Sequence, residues 1–272
     1  MHDQACIDFL QWCLPRLGYR WRGFRKVRRQ VCRRVQKRMQ ALELCNIEAY
    51  KHRLETYPEE WHFLDGCCDI SVTHFYRDKQ IFERIGQQLF PCLIEQAFMT
   101  GTNHLRCWSL GCCSGEEPYS LRLIWNIGVE PTLSFPCSLE IIATDRNPDF
   151  LQRACNARYG ASSIKDLPPN YIAQGFSREG NQYRLKPAVV SDVVFSRQDI
   201  RHTQPEGPFD LICCRNLVFT YFSSELQQRV LKKIYGELRH GGFLIIGAHE
   251  SLPNHNMPLR PYSDCQAIYK KS

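Results

Sequence analysis

The chain has 272 residues, 43% of them hydrophobic, 23% charged and 12% aromatic, and carries a formal net charge of +7. That is globular composition, and it excludes a disordered or fibrous chain. No run approaches the roughly 20 apolar residues of a membrane span, and Asp3, Asp8 and Pro15 fall where a secretion signal needs an apolar core. The expectation is a soluble, cytoplasmic chain without membrane insertion.

Residues 1–69 read as helices only. Between Arg16 and Arg38 stand eleven arginines and lysines and no acid, so the remainder of the chain is net negative. Within this run Val27, Val31, Val35 and Met39 recur every four residues, with Leu42 three further on. The spacing predicts one amphipathic helix with a single apolar stripe and basic remaining faces. Such a helix suits a polyanionic partner, whether nucleic acid, anionic lipid or an acidic protein surface. Asn46 can cap a short helix through Leu54, and Pro58-Glu59-Glu60 opens another.

From residue 70 strands alternate with helices. Leu105–Leu110, Leu139–Thr144, Phe209–Cys214 and Phe243–Gly247 are apolar strand-like runs. Helical patterns cover about Glu117 to Trp125, Pro148 to Ala157 and Ser224 to Leu238. Apolar strands alternating with helices predict a parallel sheet covered on both faces. Residues 165–195 interrupt the alternation with short polar-punctuated runs, Gln182–Leu185 and Val189–Phe195, read as a small antiparallel insertion. The organisation expected is a helical domain at 1–69 and an α/β domain at 70–272. Fifteen cysteines are present, with no C-x-x-C pair and no histidine at finger spacing, so no metal site is expected. Without a secretion signal the thiols are expected reduced, and Cys107, Cys137, Cys213 and Cys214 lie in apolar runs where cysteine acts as a small hydrophobe.

The strongest local pattern is Trp108-Ser-Leu-Gly-Cys-Cys-Ser-Gly-Glu-Glu-Pro-Tyr-Ser120. A strand runs into Gly111-x-x-x-Gly115, where glycines allow a tight turn and close approach to a ligand. A phosphate loop would leave the following helix N-terminus open to an anion. Glu116 and Glu117 occupy it instead, which favours a ligand offering hydroxyls or a cation. The next strand ends in Asp145, where nucleoside-binding α/β folds hold ribose hydroxyls. A glycine loop with that acid and no phosphate chemistry suggests S-adenosylmethionine over NAD.

Four segments in order, Ser71-Val-Thr-His-Phe-Tyr-Arg77, Ser114-Gly-Glu-Glu-Pro-Tyr-Ser120, Thr144-Asp145, and Cys214-Arg-Asn216 followed by Tyr221-Phe222, resemble the CheR-type chemotaxis receptor methyltransferases. The likeness runs from about Phe9 to Lys270. It implies a class I methyltransferase-like (Rossmann-like) sheet with an antiparallel insertion and an all-α N-terminal domain. The activity implied is methyl transfer from S-adenosylmethionine to glutamate side chains of a chemoreceptor-like protein. Methyl esters and S-adenosylhomocysteine would be the products. By the same resemblance Ser71, Thr73 and Arg77 would contact the cofactor beside the Gly111 loop, Glu117 would hold its methionine amino end, and Asp145 its ribose. Asp199 and Ile200 would frame the adenine, Arg215 and Asn216 would line the reactive end, and Arg77 and Tyr221 would act at the methyl group. The basic helix would then dock an acidic helical substrate such as a chemoreceptor cytoplasmic domain, with nucleic acid disfavoured. Three departures bear on the acceptor: Ser71 where the family often has asparagine, one more residue between Asn216 and Tyr221, and His249-Glu250-Ser251 in place of His-Ser-Glu. They keep open a second acceptor class, another protein carboxylate or a small-molecule acid.

Overall fold

Glycine divides the basic run that its valine spacing makes look continuous. Gly18, at a left-handed φ of 75°, ends the 3-10 turn Leu14–Leu17, and Val27 is the non-helical cap of the helix Arg28–Ala41. The eleven basic residues therefore spread over a turn, the short helix Trp21–Phe24 and the first three turns of Arg28–Ala41, rather than lying on one helix. Within the last, Val31, Cys32, Val35 and Met39 are buried, while Arg22, Arg25, Lys26, Arg29, Arg33 and Lys37 are exposed.

The computed structural model describes residues 3–272 and divides into two units. The first comprises residues up to Ser71 together with Thr220–Gln227; the second holds Val72–Phe219 and Gln228–Ser272. In the helical unit Asn46 caps Ile47–Thr56 by accepting from the Ala49 amide at 2.9 Å. Glu60–Cys67 follows Pro58 as expected. One expectation is overturned: Cys6 and Cys32 form a disulfide between Asp3–Cys13 and Arg28–Ala41, with Cα atoms 6.0 Å apart. Cys32 falls on the buried stripe, facing the first helix, and a separation of 26 residues carries no signal of that pairing. Phe222 belongs to this unit as well, bridged to Tyr19 and ring-packed on it at 5.7 Å.

The second unit is built on β1 (His104–Leu110), β2 (Ser138–Asp145), β6 (Val193–Arg197), β7 (Phe209–Cys214), β8 (Leu238–Ile246), β9 (Leu259–Tyr262) and β10 (Cys265–Lys271), ordered β6-β2-β1-β7-β8-β10-β9. The first five are parallel, and β10 and β9 add antiparallel at one edge. Every residue of β7 is buried, as a central parallel strand requires. A second sheet, ordered β3-β5-β4, joins β3 (Arg158–Gly160), β4 (Phe176–Glu179) and β5 (Gln182–Leu185) antiparallel. The run Val189–Phe195, assigned above to this insertion, is split. Val189 and Val190 end the short helix Pro187–Val190, and Val193–Phe195 begin β6, parallel to β2 in the large sheet. From β1 the chain winds outward through β2 to β6, then returns to place β7 on the other side of β1. Ligands bind at such a reversal, beyond the carboxyl ends of the strands.

Candidate functional site

The carboxyl ends of β1, β2, β6 and β7 carry Gly111, Asp145, Asp199 and Arg215. The loop after β1 is bound to β2, since the amides of Gly111 and Cys112 donate to the Thr144 carbonyl at 2.8 and 3.0 Å. Gly111 has φ 73°, which strains any other residue, and a Cβ there would lie 2.5 Å from Leu217 Cδ2, so the leucine would also have to shift. Asp145 then fixes the loop's far side: one carboxylate oxygen accepts from the Cys113 amide at 2.9 Å, the other from the Asn147 amide at 2.9 Å. The Cys113 thiol is pushed up to about 12 by burial, with the neighbouring carboxylates acting in the same direction, so it is an inert group and not a nucleophile.

Two glutamates open the helix Glu116–Leu123 and do different things. Glu116 is buried and accepts from the Ser114 hydroxyl at 2.9 and 3.1 Å, from Ser163 at 3.3 Å and from Thr73. Burial pushes its carboxyl up, against the pull of these hydrogen bonds. Thr73 thus reaches the loop through Glu116. Glu117 accepts from the Ser109 hydroxyl at 2.7 Å and from Arg215 Nη1 at 3.1 Å. Arg77 directs its own guanidinium to the Val72 carbonyl at 2.6 Å. Its carbonyl accepts from Arg215 Nη2 at 2.5 Å, and the same nitrogen bonds Asp78 at 2.7 Å.

Arg215 itself is buried between these groups. Asp199 is held by Arg201, whose backbone amide, Nε and Nη2 donate to it. Burial opposes its ionisation, but the Arg201 bonds and charge outweigh that and hold the carboxyl below the usual range. The carboxylate expected to accept from the adenine amine thus also has a partner two residues along the chain. Ile200 is buried next to it. Asn216 sits at a left-handed φ of 55°, and its amide donates to Glu250 Oε2 at 2.8 Å. The Gly247 amide donates to the same oxygen at 2.7 Å. Tyr76 and Asp78 also have positive φ, 57° and 63°. Each such non-glycine residue costs about 1–3 kcal/mol, and they gather at functional sites.

The structure thus places Thr73, Arg77, Gly111, Glu117, Asp145, Asp199, Ile200, Arg215 and Asn216 at the carboxyl end of the large sheet. Ser71 and Tyr221 fall in the helical unit, where Tyr221 packs on Phe24 at 4.9 Å and its carbonyl accepts from the Arg20 amide. Glu116, Ser109, Asp78 and Glu250 are the members that motif reading missed. Glu116 and Glu250 stood inside highlighted motifs, but nothing local shows that they bind Thr73 or the Asn216 turn. Gln198 was also missed: its Oε1 is buried without a partner, beside Asp199. An acid-rich loop with no basic residue, a glycine cradle and an unpaired buried acceptor after β6 fit a cationic nucleoside such as S-adenosylmethionine. They do not fit a phosphate.

Residues 71–267 match the family model described as CheR methyltransferase, SAM binding domain. The chemotaxis protein methyltransferase of Listeria monocytogenes is 33% identical over 185 residues, covering 68% of this chain and 67% of that protein. Chemotaxis protein methyltransferase 1 of Pseudomonas aeruginosa is 34% identical over 186 residues, 67% of this chain and 66% of that one. An uncharacterized 104.1 kDa protein of Rhodobacter capsulatus is 31% identical over 222 residues; these are 82% of this chain but 23% of that protein, so the chain spans about a quarter of this relative.

Proposed function

The chain belongs to the CheR methyltransferase family, and from that premise we propose that it transfers a methyl group from S-adenosylmethionine to glutamate side chains of an acidic helical, chemoreceptor-like protein. The observation that carries this reading is the acid-rich glycine loop at the sheet's reversal, with Asp145 placed across it. Asp145 would hold the ribose and Glu117 the amino end of the cofactor. Thr73, Arg77, Ile200, Asn216 and the Gln198 acceptor would complete the enclosure. Ser71 and Tyr221 carry their roles from the family resemblance alone.

Bound there, S-adenosylmethionine supplies a methyl group already activated by its sulfonium. A glutamate acceptor, with a reference pKa near 4.3, arrives ionised at neutral pH, so the chain needs no general base. The buried thiols at this edge, raised by burial, supply none. What the residues contribute is alignment, which supplies roughly 7–11 kcal/mol in well-oriented reactions. The strained turns at Tyr76, Asp78 and Asn216 serve that purpose.

The reading is tested with methyl-labelled cofactor and a membrane-plus-cytosol extract of the source cells. Base-labile label released as methanol from a membrane protein band is the expected result. Label confined to a soluble band or a small molecule would move the assignment to a different acceptor. Among the described residues no helix is long and apolar enough to cross a membrane, so a receptor would have to be met through a surface. The exposed arginines of the helical unit are that surface in this reading. Reversing Arg22, Arg25, Arg29 and Arg33 to glutamate should raise the KM for the protein substrate at least about tenfold, since charge complementarity governs encounter. The affinity for S-adenosylhomocysteine should stay unchanged. An unaltered KM would return the basic run to the role of a solvated face.

A further inference from the structure

Arg215 is buried to 8% residual exposure, and both terminal nitrogens of its guanidinium are spent on the protein. Nη1 donates to Glu117 at 3.1 Å; Nη2 donates to Asp78 at 2.7 Å and to the Arg77 carbonyl. Its Cζ lies 4.9 Å from the centre of the Phe82 ring, which itself stacks on Tyr76 at 5.1 Å. The side chain therefore joins three stretches distant in sequence: the turn Tyr76-Arg77-Asp78, the first turn of the helix Glu116–Leu123, and the tip of β7. Two of the three residues of that turn have positive φ, a geometry that persists only where the surroundings dictate it. Glu117 has its other oxygen fixed by Ser109 at 2.7 Å. Its carboxylate is thus gripped from both sides, and the grip that crosses the sheet reversal is Arg215.

We propose that Arg215 is a positioning residue: it aims the Glu117 carboxylate at the amino end of the cofactor and holds the Arg77 turn against it. This rests on the reading of Glu117 given above. A planar guanidinium is needed because one group must serve an acceptor on each side and stack on a ring. A lysine ammonium, a point charge on a flexible stem, reproduces neither the fork nor the stacking.

The test measures binding of two ligands by calorimetry. S-adenosylhomocysteine carries the amino-acid end; methylthioadenosine keeps the adenosine and lacks it. Arg215→Lys should weaken S-adenosylhomocysteine about tenfold to a hundredfold, the worth of a lost charge-assisted contact, and leave methylthioadenosine within twofold. Glu117→Gln should show the same selectivity, and the double variant should be no weaker than the worse single one. Equal losses on both ligands would mean that Arg215 only supports the fold, and multiplying losses in the double variant would mean that it acts independently of Glu117; either overturns the proposal. A Glu117→Gln protein that binds both ligands normally would instead remove the amino-end reading itself. Should Arg215→Lys fail to fold, Asp78→Asn takes its place, with a smaller loss expected on S-adenosylhomocysteine alone and no selective loss counting against the proposal.

Discussion

Replacing Asp145 by alanine is expected to raise the dissociation constant for S-adenosylhomocysteine about a hundredfold while the protein stays folded. The carboxylate does two jobs. Within the protein it accepts from the Cys113 and Asn147 amides, each at 2.9 Å, and so fixes the far side of the glycine loop, where Cys113 itself has φ 50°. In the proposed complex its remaining lone pairs accept from the ribose. Hydrogen bonds to a charged group are worth about 1.5–3 kcal/mol each, so losing a ribose pair costs on the order of 3 kcal/mol. Orphaning two amides whose bonds to Asp145 are only partly buried costs less; at roughly 2–4 °C per kcal/mol for a chain of this size, the melting temperature should fall by only a few degrees. Asp145→Asn keeps one acceptor and should lie between the two. Affinity within twofold of the parent protein for the alanine variant would mean that the cofactor is held elsewhere.

The loop and Asp145 were legible because their signals are local. A strand that stops at a glycine, two acids that open a helix and an acid at the next strand's tip each lie within a few residues. The strands were legible for a related reason: Phe209–Cys214 is apolar but for Asp210 and is buried throughout. What escaped is what only the fold brings together. Arg215 meets Glu117 and Asp78 across 98 and 137 residues, and Asn216 meets Glu250 across 34. No periodicity in the chain encodes those encounters. The opposite error is also instructive. The four-residue spacing of Val27, Val31, Val35 and Met39 was real, yet Gly18 and Val27 punctuate the basic run and confine the helix to Arg28–Ala41. A repeat of apolar positions says which face is buried, and it says nothing about where the helix begins. The partner of Asp199 escaped even though it is local: Arg201 stands two residues away, and its bonds to the acid were not read.

The largest effect on folding should come from Glu60, which no functional motif includes. It is 2% exposed. Its carboxylate accepts from Arg38 Nε and Nη2, both at 2.8 Å, and from the Tyr50 hydroxyl at 3.0 Å, with Arg53 at 3.6 Å. These bonds tie Arg28–Ala41, Ile47–Thr56 and Glu60–Cys67 together at one point. Removing one partner of a buried pair leaves the other uncompensated and costs about 3–5 kcal/mol, which is the loss expected of Glu60→Ala in urea melts of the full chain. Burial alone would raise the Glu60 pKa, but the Arg38 and Tyr50 bonds and the nearby positive charges outweigh it, and the carboxyl lies below its usual value of 4.5. A group with a depressed folded pKa contributes stability above its unfolded value and loses it as the pH falls through the folded one. The parent protein should therefore lose stability below about pH 4.5 more steeply than Glu60→Gln, whose side chain does not titrate. Equal acid slopes, or an alanine variant within 1 kcal/mol of the parent, would show that the Arg38 fork is not what holds the helical unit. The result also bears on substrate docking. Arg38 is the last basic residue of Arg28–Ala41, so the bond that fixes Glu60 also sets where the exposed arginines before it are presented. A destabilised Glu60→Gln protein with a raised protein-substrate KM and an unchanged affinity for S-adenosylhomocysteine would tie that presentation directly to the buried carboxylate.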